Sequence, residues 1–186
     1  MKIAFSGMKG SGKDYCINSL NGDGKLILGF SDQLRYIGEH LFPWFDAHCL
    51  PENKDEHMFY NPITNTYWSY RDVLTKIDIL REIDPDIFIR PLEKTYKELF
   101  IDHERGKYDT CIIKDLRPHN PHELIWCLDN GFEILHITCD EQPEITHVSE
   151  QGYIDNIVPY ASWHFHNRKN GPQDFINFWN KEVRGV

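Results

Sequence analysis

Apolar residues along the chain group into short solid runs separated by stretches with helical spacing. "KIAFSG" at the start reads as a buried strand, and "KDYCINSL" has the spacing of a helix. "KLILGF" at 25–30 predicts a second strand, and "DQLRYIGEHLF" a second helix that Pro43 stops. Residues 43–69 lose the period and are rich in aromatics, Pro and Asn, with a small hairpin expected around "FYNPITNTYW". "SYRDVLTKIDILREI" resumes helical spacing behind a Ser69/Asp72 capping box, and "FIRPLEKTYKELFIDHERG" carries another helix. A strong strand follows at 108–115, "YDTCIIKD", then the helix of "NPHELIWCLDNG" ending near Gly131, then the strand "FEILHITC" at 132–139. A polar segment over 140–160 precedes a short strand, "SWHFHN", and the helix "PQDFINFWNKEV", which Pro172 opens.

Strand and helix alternate, which predicts an α/β fold: a three-layer α/β/α sandwich on a mostly parallel sheet. Right-handed crossovers then gather the loops at the carboxyl ends of the strands. A chain of 186 residues suits one hydrophobic core, so residues 1–186 are expected to form a single domain. An excursion at about 43–105 and a lid-like segment at about 140–160 depart from its core.

Composition narrows the function classes. The net charge of -9 argues against binding long nucleic acid, which needs broad phosphate neutralisation, but leaves room for a small anionic ligand. No apolar run reaches the ~18 residues of a membrane span, and glycine-rich sequence interrupts the N-terminal stretch before a signal-peptide core forms. A cytoplasmic protein is expected. The five cysteines are scattered without a CxxC pair, which fits core thiols in a reducing compartment. In "WHFH", His164 and His166 share one face if the segment is extended, but two ligands do not make a metal site.

"GMKGSGKD" at 7–14 carries the sharpest chemistry. In Gly7-x4-Gly12-Lys13 the glycines let the backbone turn tightly and aim its N–H groups inward, while the following helix start adds positive potential. Gly10 and Ser11 shape the cradle, and Lys13 can reach the outer phosphates. The flanking strand and helix supply the context such a loop requires. Asp14 stands where a phosphate loop normally has a Ser or Thr hydroxyl. Its carboxylate can serve Mg²⁺ directly, serve it through water, or cap the helix.

Together with "FSDQLR", "SYRDVLTKIDILR", "IIKDLRPHNPHE" and "HVSE", and with Asn167 in a final strand, this loop resembles the bacteriophage deoxynucleoside monophosphate kinases. The resemblance covers most of the chain. It implies a P-loop nucleoside monophosphate kinase-like fold. The implied activity transfers the γ-phosphoryl group of ATP to a deoxynucleoside monophosphate with Mg²⁺, in the host-cell cytoplasm for a phage-encoded chain. A homodimer would be unsurprising.

By the same resemblance, Lys9, Tyr15, Asn167 and Arg168 join the loop as cofactor-binding residues, and Asp14 and Asp115 serve the metal. Asp32, Arg35, Arg71, Arg81, Arg117 and Glu150 belong to the acceptor side; Lys13, Arg71, Arg81, Asp115 and Arg117 carry the reaction. Two guanidinium groups at Arg71 and Arg81 suit a monophosphate and the charge that develops during transfer. Asn120 and Glu123 fix the loop and open the next helix. The aromatic residues Trp44, Phe59, Tyr60, Tyr67 and Trp68 either enclose the acceptor nucleoside or form a satellite core. Two alternatives stay open: another small-molecule P-loop kinase, of the phosphomevalonate or dephospho-coenzyme A type, and an ATP-dependent switch module.

Overall fold

The computed structural model describes residues 1–20, 24–49, 54–101, 107–140 and 151–186. The chain divides into two compact units, one formed by Met1–Gly29 with Glu93–Val186 and the other by Phe30–Leu92.

The first unit is an α/β fold around five strands: β1 (Lys2–Ser6), β2 (Lys25–Leu28), β5 (Thr110–Leu116), β6 (Glu133–Thr138) and β7 (Ala161–His166). Their order is β2-β5-β1-β6-β7, and every neighbouring pair is parallel. The interior strands are solid apolar runs because both faces are covered: Ile3, Ala4 and Phe5 of β1 have no exposed surface, nor do Cys111, Ile112 and Ile113 of β5.

On one face, Phe5, Ile112, Leu135 and Ile137 pack with Cys16 and Ile17 of α1 (Lys13–Ser19) and Phe175 of α6 (Pro172–Phe178). Trp179, in the π-helical turn that continues α6, stacks on Phe5 at 6.1 Å. Side chains alternate along a strand, so the intervening residues point to the other face. There lies α5 (Pro121–Asp129), whose Trp126 meets Tyr96 of α4 (Ile89–Tyr96) at 5.5 Å. Helices on both faces are compatible with three layers.

From β1 the chain crosses to β2 at one edge, whereas the connection out of β5 passes over to β6 on the other side of β1. The carboxyl end of β1 is therefore where connections diverge, the place at which an open parallel sheet leaves a crevice for ligands.

The second unit has its own core. Leu34 of α2 (Phe30–Leu41) packs with Phe45, Tyr70, Val73, Ile77 and Phe88, with α3 (Tyr70–Asp78) supplying three of these. A Cβ on Gly38 would come within 2.9 Å of Phe45 and 3.0 Å of Ile77, so α2 needs glycine at this approach. Strands β3 (Met58–Asn61) and β4 (Thr66–Ser69) form the antiparallel hairpin. The Ser69/Asp72 capping box is present at the start of α3, with Ser69 Oγ accepting from Asp72 N at 3.0 Å. Trp44, Phe59 and Trp68 pack against this core, which favours the satellite-core role, while Tyr60 and Tyr67 pair on the exposed side of the hairpin at 5.3 Å.

Candidate functional site

β1 ends at Ser6, and the next six residues turn back into α1 with three glycines at positive φ: Gly7 at 147°, Gly10 at 81° and Gly12 at 85°. A Cβ on Gly7 would run into the Ile137 carbonyl oxygen, and one on Gly12 into the side-chain amide of Asn167. The loop therefore requires glycine for conformation and for space. Ser11 N donates to Met8 O at 3.1 Å, tightening the turn. Lys13 Nζ donates to the carbonyls of Gly7 and, at 3.2 Å, Met8, folding its side chain back across the loop. Ser11 is fully buried, and its hydroxyl has no hydrogen-bond partner among the described residues. Asp14 and Tyr15 occupy the exposed outer side of the first helical turn, and Lys9 is exposed on the loop.

The end of the sheet braces this loop. Asn167, directly after β7, is buried; its Nδ2 donates to Ser11 O at 3.0 Å, and its Oδ1 accepts from Lys169 N at 3.0 Å. Its own N–H donates to Thr138 O at 2.8 Å, and Cys139 Sγ donates to Gly10 O at 3.5 Å. The side chain of Asn167 is thus engaged in holding the loop. Arg168 follows it and is exposed.

Beneath the loop, His136 is paired in register with Ser6 on one side and His164 on the other. Its Nδ1 lies 3.4 Å from Ser6 Oγ, and its ring sits 6.1 Å from that of His164. Burial pushes its pKa down to about 4, with smaller contributions from His164 and Lys13. At neutral pH it is an uncharged imidazole, which adds no repulsion against Lys13.

Asp115 lies on β5, the strand paired with β1. Between the pairs Ala4–Ile113 and Ser6–Leu116, β5 advances three residues while β1 advances two, so a bulge falls at Lys114–Asp115. Such bulges re-aim side chains at the ends of sheets. Asp115 and Arg117 are both half-buried. Asn120 caps α5 by accepting from His122 N at 3.1 Å, with Pro121 in the first turn. Arg117 also lines a cleft of about 930 Å³, together with His119, Asn120, Leu124, Ile125 and Tyr160.

The remaining acceptor-side residues belong to the second unit. Arg35 Nη1 meets Asp32 Oδ1 at 2.6 Å within α2. Arg71, the second residue of α3, pairs with Asp55. Arg81 pairs with Asp78 at 2.5 Å and lies over the Phe88 ring at 4.7 Å. Trp68 on β4 donates from Nε1 to Thr66 Oγ1 at 3.0 Å. Glu150, with the rest of "HVSE", lies outside the described residues.

Among the described residues, no group of three or more His, Cys, Asp or Glu side chains could hold a metal ion unaided. Mg²⁺ characteristically takes one or two carboxylates and completes its shell with phosphate and water. Asp115, near the carboxyl end of β5 beside β1, is a carboxylate of that kind, while Asp14 lies on the exposed side of the helical turn. The glycine cradle and the buried Ser11 hydroxyl suit a polyphosphate. Reasoning from sequence did not find Thr138, Cys139, His136 and Asp140. The nearest signal was the "WHFH" alternation: β7 is extended, and His164 and His166 stand in register with His136 and Thr138.

No protein-family model matches the chain, and a search of curated proteins finds no match.

Proposed function

We propose that this protein is a P-loop kinase that transfers the γ-phosphoryl group of ATP to a deoxynucleoside monophosphate, giving the diphosphate and ADP. The observation that carries the reading is the Gly7–Lys13 loop. It follows the central strand of a parallel sheet, requires glycine at Gly7 and Gly12, and is fastened by the buried Asn167. In this reading the loop amides and Lys13 cradle the donor phosphates, and Lys13 exchanges its two loop carbonyls for phosphate oxygens. Asp115 takes the metal side, with Asp14 contributing through water. Arg117 of the first unit and Arg71 and Arg81 of the second are the candidates for the acceptor phosphate and developing charge, as phosphoryl transfer demands alignment and electrostatics more than a covalent nucleophile. Arg71 must then leave Asp55, and a surface pair of this kind is worth only about 0–1 kcal/mol, so the exchange is cheap.

The test is ADP release coupled to an optical readout, run over all deoxynucleoside and ribonucleoside monophosphates with Mg²⁺ and ATP. Release that depends on one or more deoxynucleoside monophosphates is expected. Equal release with and without every acceptor would support the switch-module alternative instead. Dependence only on a different phosphorylated acceptor would keep the kinase and replace its substrate.

A further inference from the structure

A second reactive constellation adjoins the loop. Thr138 closes β6, and opposite it in register His166 closes β7. Thr138 Oγ1 lies 3.1 Å from His166 Nδ1, and His166 Nε2 lies 2.9 Å from Asp140 Oδ1. A neutral imidazole satisfies both contacts in one tautomer: Nε2–H donates to the carboxylate, and Nδ1 accepts the threonine O–H. This is the hydroxyl–imidazole–carboxylate order in which a base activates a nucleophile and a third group orients the base. The His136–His164 pair, two residues earlier on the same face, has no such order and is the bland comparison.

The residues around Thr138 tie it to the phosphate loop. The Ile137 carbonyl fills the space where Gly7 lacks a side chain, Cys139 Sγ donates to Gly10 O, and Thr138 O accepts from Asn167, which in turn holds Ser11 O. His166 and Asp140 are exposed, so the group is open to solvent.

We propose that Thr138 is a phosphoryl acceptor within the chain, modified by the protein's own donor nucleotide, with His166 as base. This rests on the kinase reading above. Thr138 Oγ1 forms a bond to the γ-phosphorus while the bond from that phosphorus to the bridging oxygen of the leaving ADP breaks. The hydroxyl proton passes to His166 Nδ1, and Asp140 stabilises the imidazolium. The products are phosphothreonine and ADP, and His166 later returns its proton to water. A phosphate at Thr138 brings a charge of about -1.5 to -2 beside the loop. It opposes rebinding of nucleotide phosphates, so the modification limits itself and the kinase together.

The experiment incubates the full chain with Mg²⁺ and γ-labelled ATP, without any acceptor, and maps the label by peptide mass spectrometry. Binding of a non-hydrolysable ATP analogue is measured alongside. Label at Thr138 is expected, absent in Thr138→Val and present in Thr138→Ser. His166→Ala should slow the initial labelling by about 10²-fold or more, the range for loss of a positioned base. If the Val variant melts at the labelling temperature, the mapped position in the wild type and the Ser variant decide. Analogue binding and deoxynucleotide phosphorylation with Thr138 unlabelled, or with label on another residue, overturn this proposal and leave the kinase reading standing. Failure of the wild type to bind the analogue overturns both.

Discussion

In the first unit, the Gly7–Lys13 loop is shaped by Gly7, Gly10 and Gly12 at positive φ and fastened by the buried Asn167. In the second, Arg35, Arg71 and Arg81 are each held by an aspartate of the same unit. Backbone geometry and the buried Asn167 amide set the turn of the loop, while the Lys13 side chain is folded back onto the Gly7 and Met8 carbonyls. Arg71 is in a surface pair, which is weak and exchangeable, whereas Arg35 and Arg81 are largely buried and Arg81 also lies over the Phe88 ring. Under the proposed function, the backbone of the donor loop is set in advance, whereas Arg71 on the acceptor side changes partner when substrate binds.

Lys13 carries the largest expected effect. Lys13→Ala should lower the rate of phosphoryl transfer by at least about 10²–10³-fold, the scale for removing one preorganised charge-stabilising group. A near-normal single-turnover rate would remove the loop from the reaction.

The next effect concerns stability and belongs to the first unit alone. His136 has a folded pKa near 4 against 6.5 when free, so between these values the unfolded chain binds the extra proton. Stability is therefore full above pH 6.5 and falls as the pH drops toward 4, by roughly 3 kcal/mol from this group. Chemical denaturation followed from pH 7 to pH 4 measures it, and His136→Phe should flatten the profile. An unchanged slope in that variant would assign the acid sensitivity elsewhere.

A smaller effect separates bracing from ligand contact. Asn167→Ala leaves the Ser11 carbonyl without its buried donor, a loss of about 1–3 kcal/mol. It should raise the KM for ATP while leaving the acceptor KM in place. If the acceptor KM rises instead, Asn167 is not simply a brace of the donor loop.

The smallest effect lies in the second unit. Arg71→Ala should raise the acceptor KM by about tenfold with nucleotide-analogue affinity unchanged, as expected for one charge-assisted contact. A loss confined to ATP binding would move Arg71 to the donor side and erase the distinction between the two regions.

Much of this was legible along the chain because the signals are local. Parallel interior strands read as solid apolar runs, and "KIAFSG" and "YDTCIIKD" are such strands in the fold. Gly7, Gly12 and Lys13 are spaced by the backbone geometry of one tight turn. The capping box before α3 and the hairpin at "FYNPITNTYW" are also short-range features. What escaped is long-range. Asn167 and Ser11 are joined across 156 residues, and His136 lies beside Ser6 across 130. A histidine within "FEILHITC" gives no local sign that two parallel strands will bury it. The bulge at Lys114–Asp115 is likewise a property of the pairing with β1, invisible in β5 alone. The second unit begins at Phe30, ahead of the irregular stretch, because Leu34 and Gly38 of α2 pack against Phe45 and Ile77. Helical spacing shows that α2 has an apolar face without showing what covers it.

The most direct measurement follows the phosphoryl group itself. The protein is incubated with Mg²⁺, γ-labelled ATP and each deoxynucleoside monophosphate, and the nucleotides are separated. The account predicts label in a deoxynucleoside diphosphate with the wild type and its near absence with Lys13→Ala. Label recovered only as free inorganic phosphate, at the same rate with and without acceptor, would contradict it.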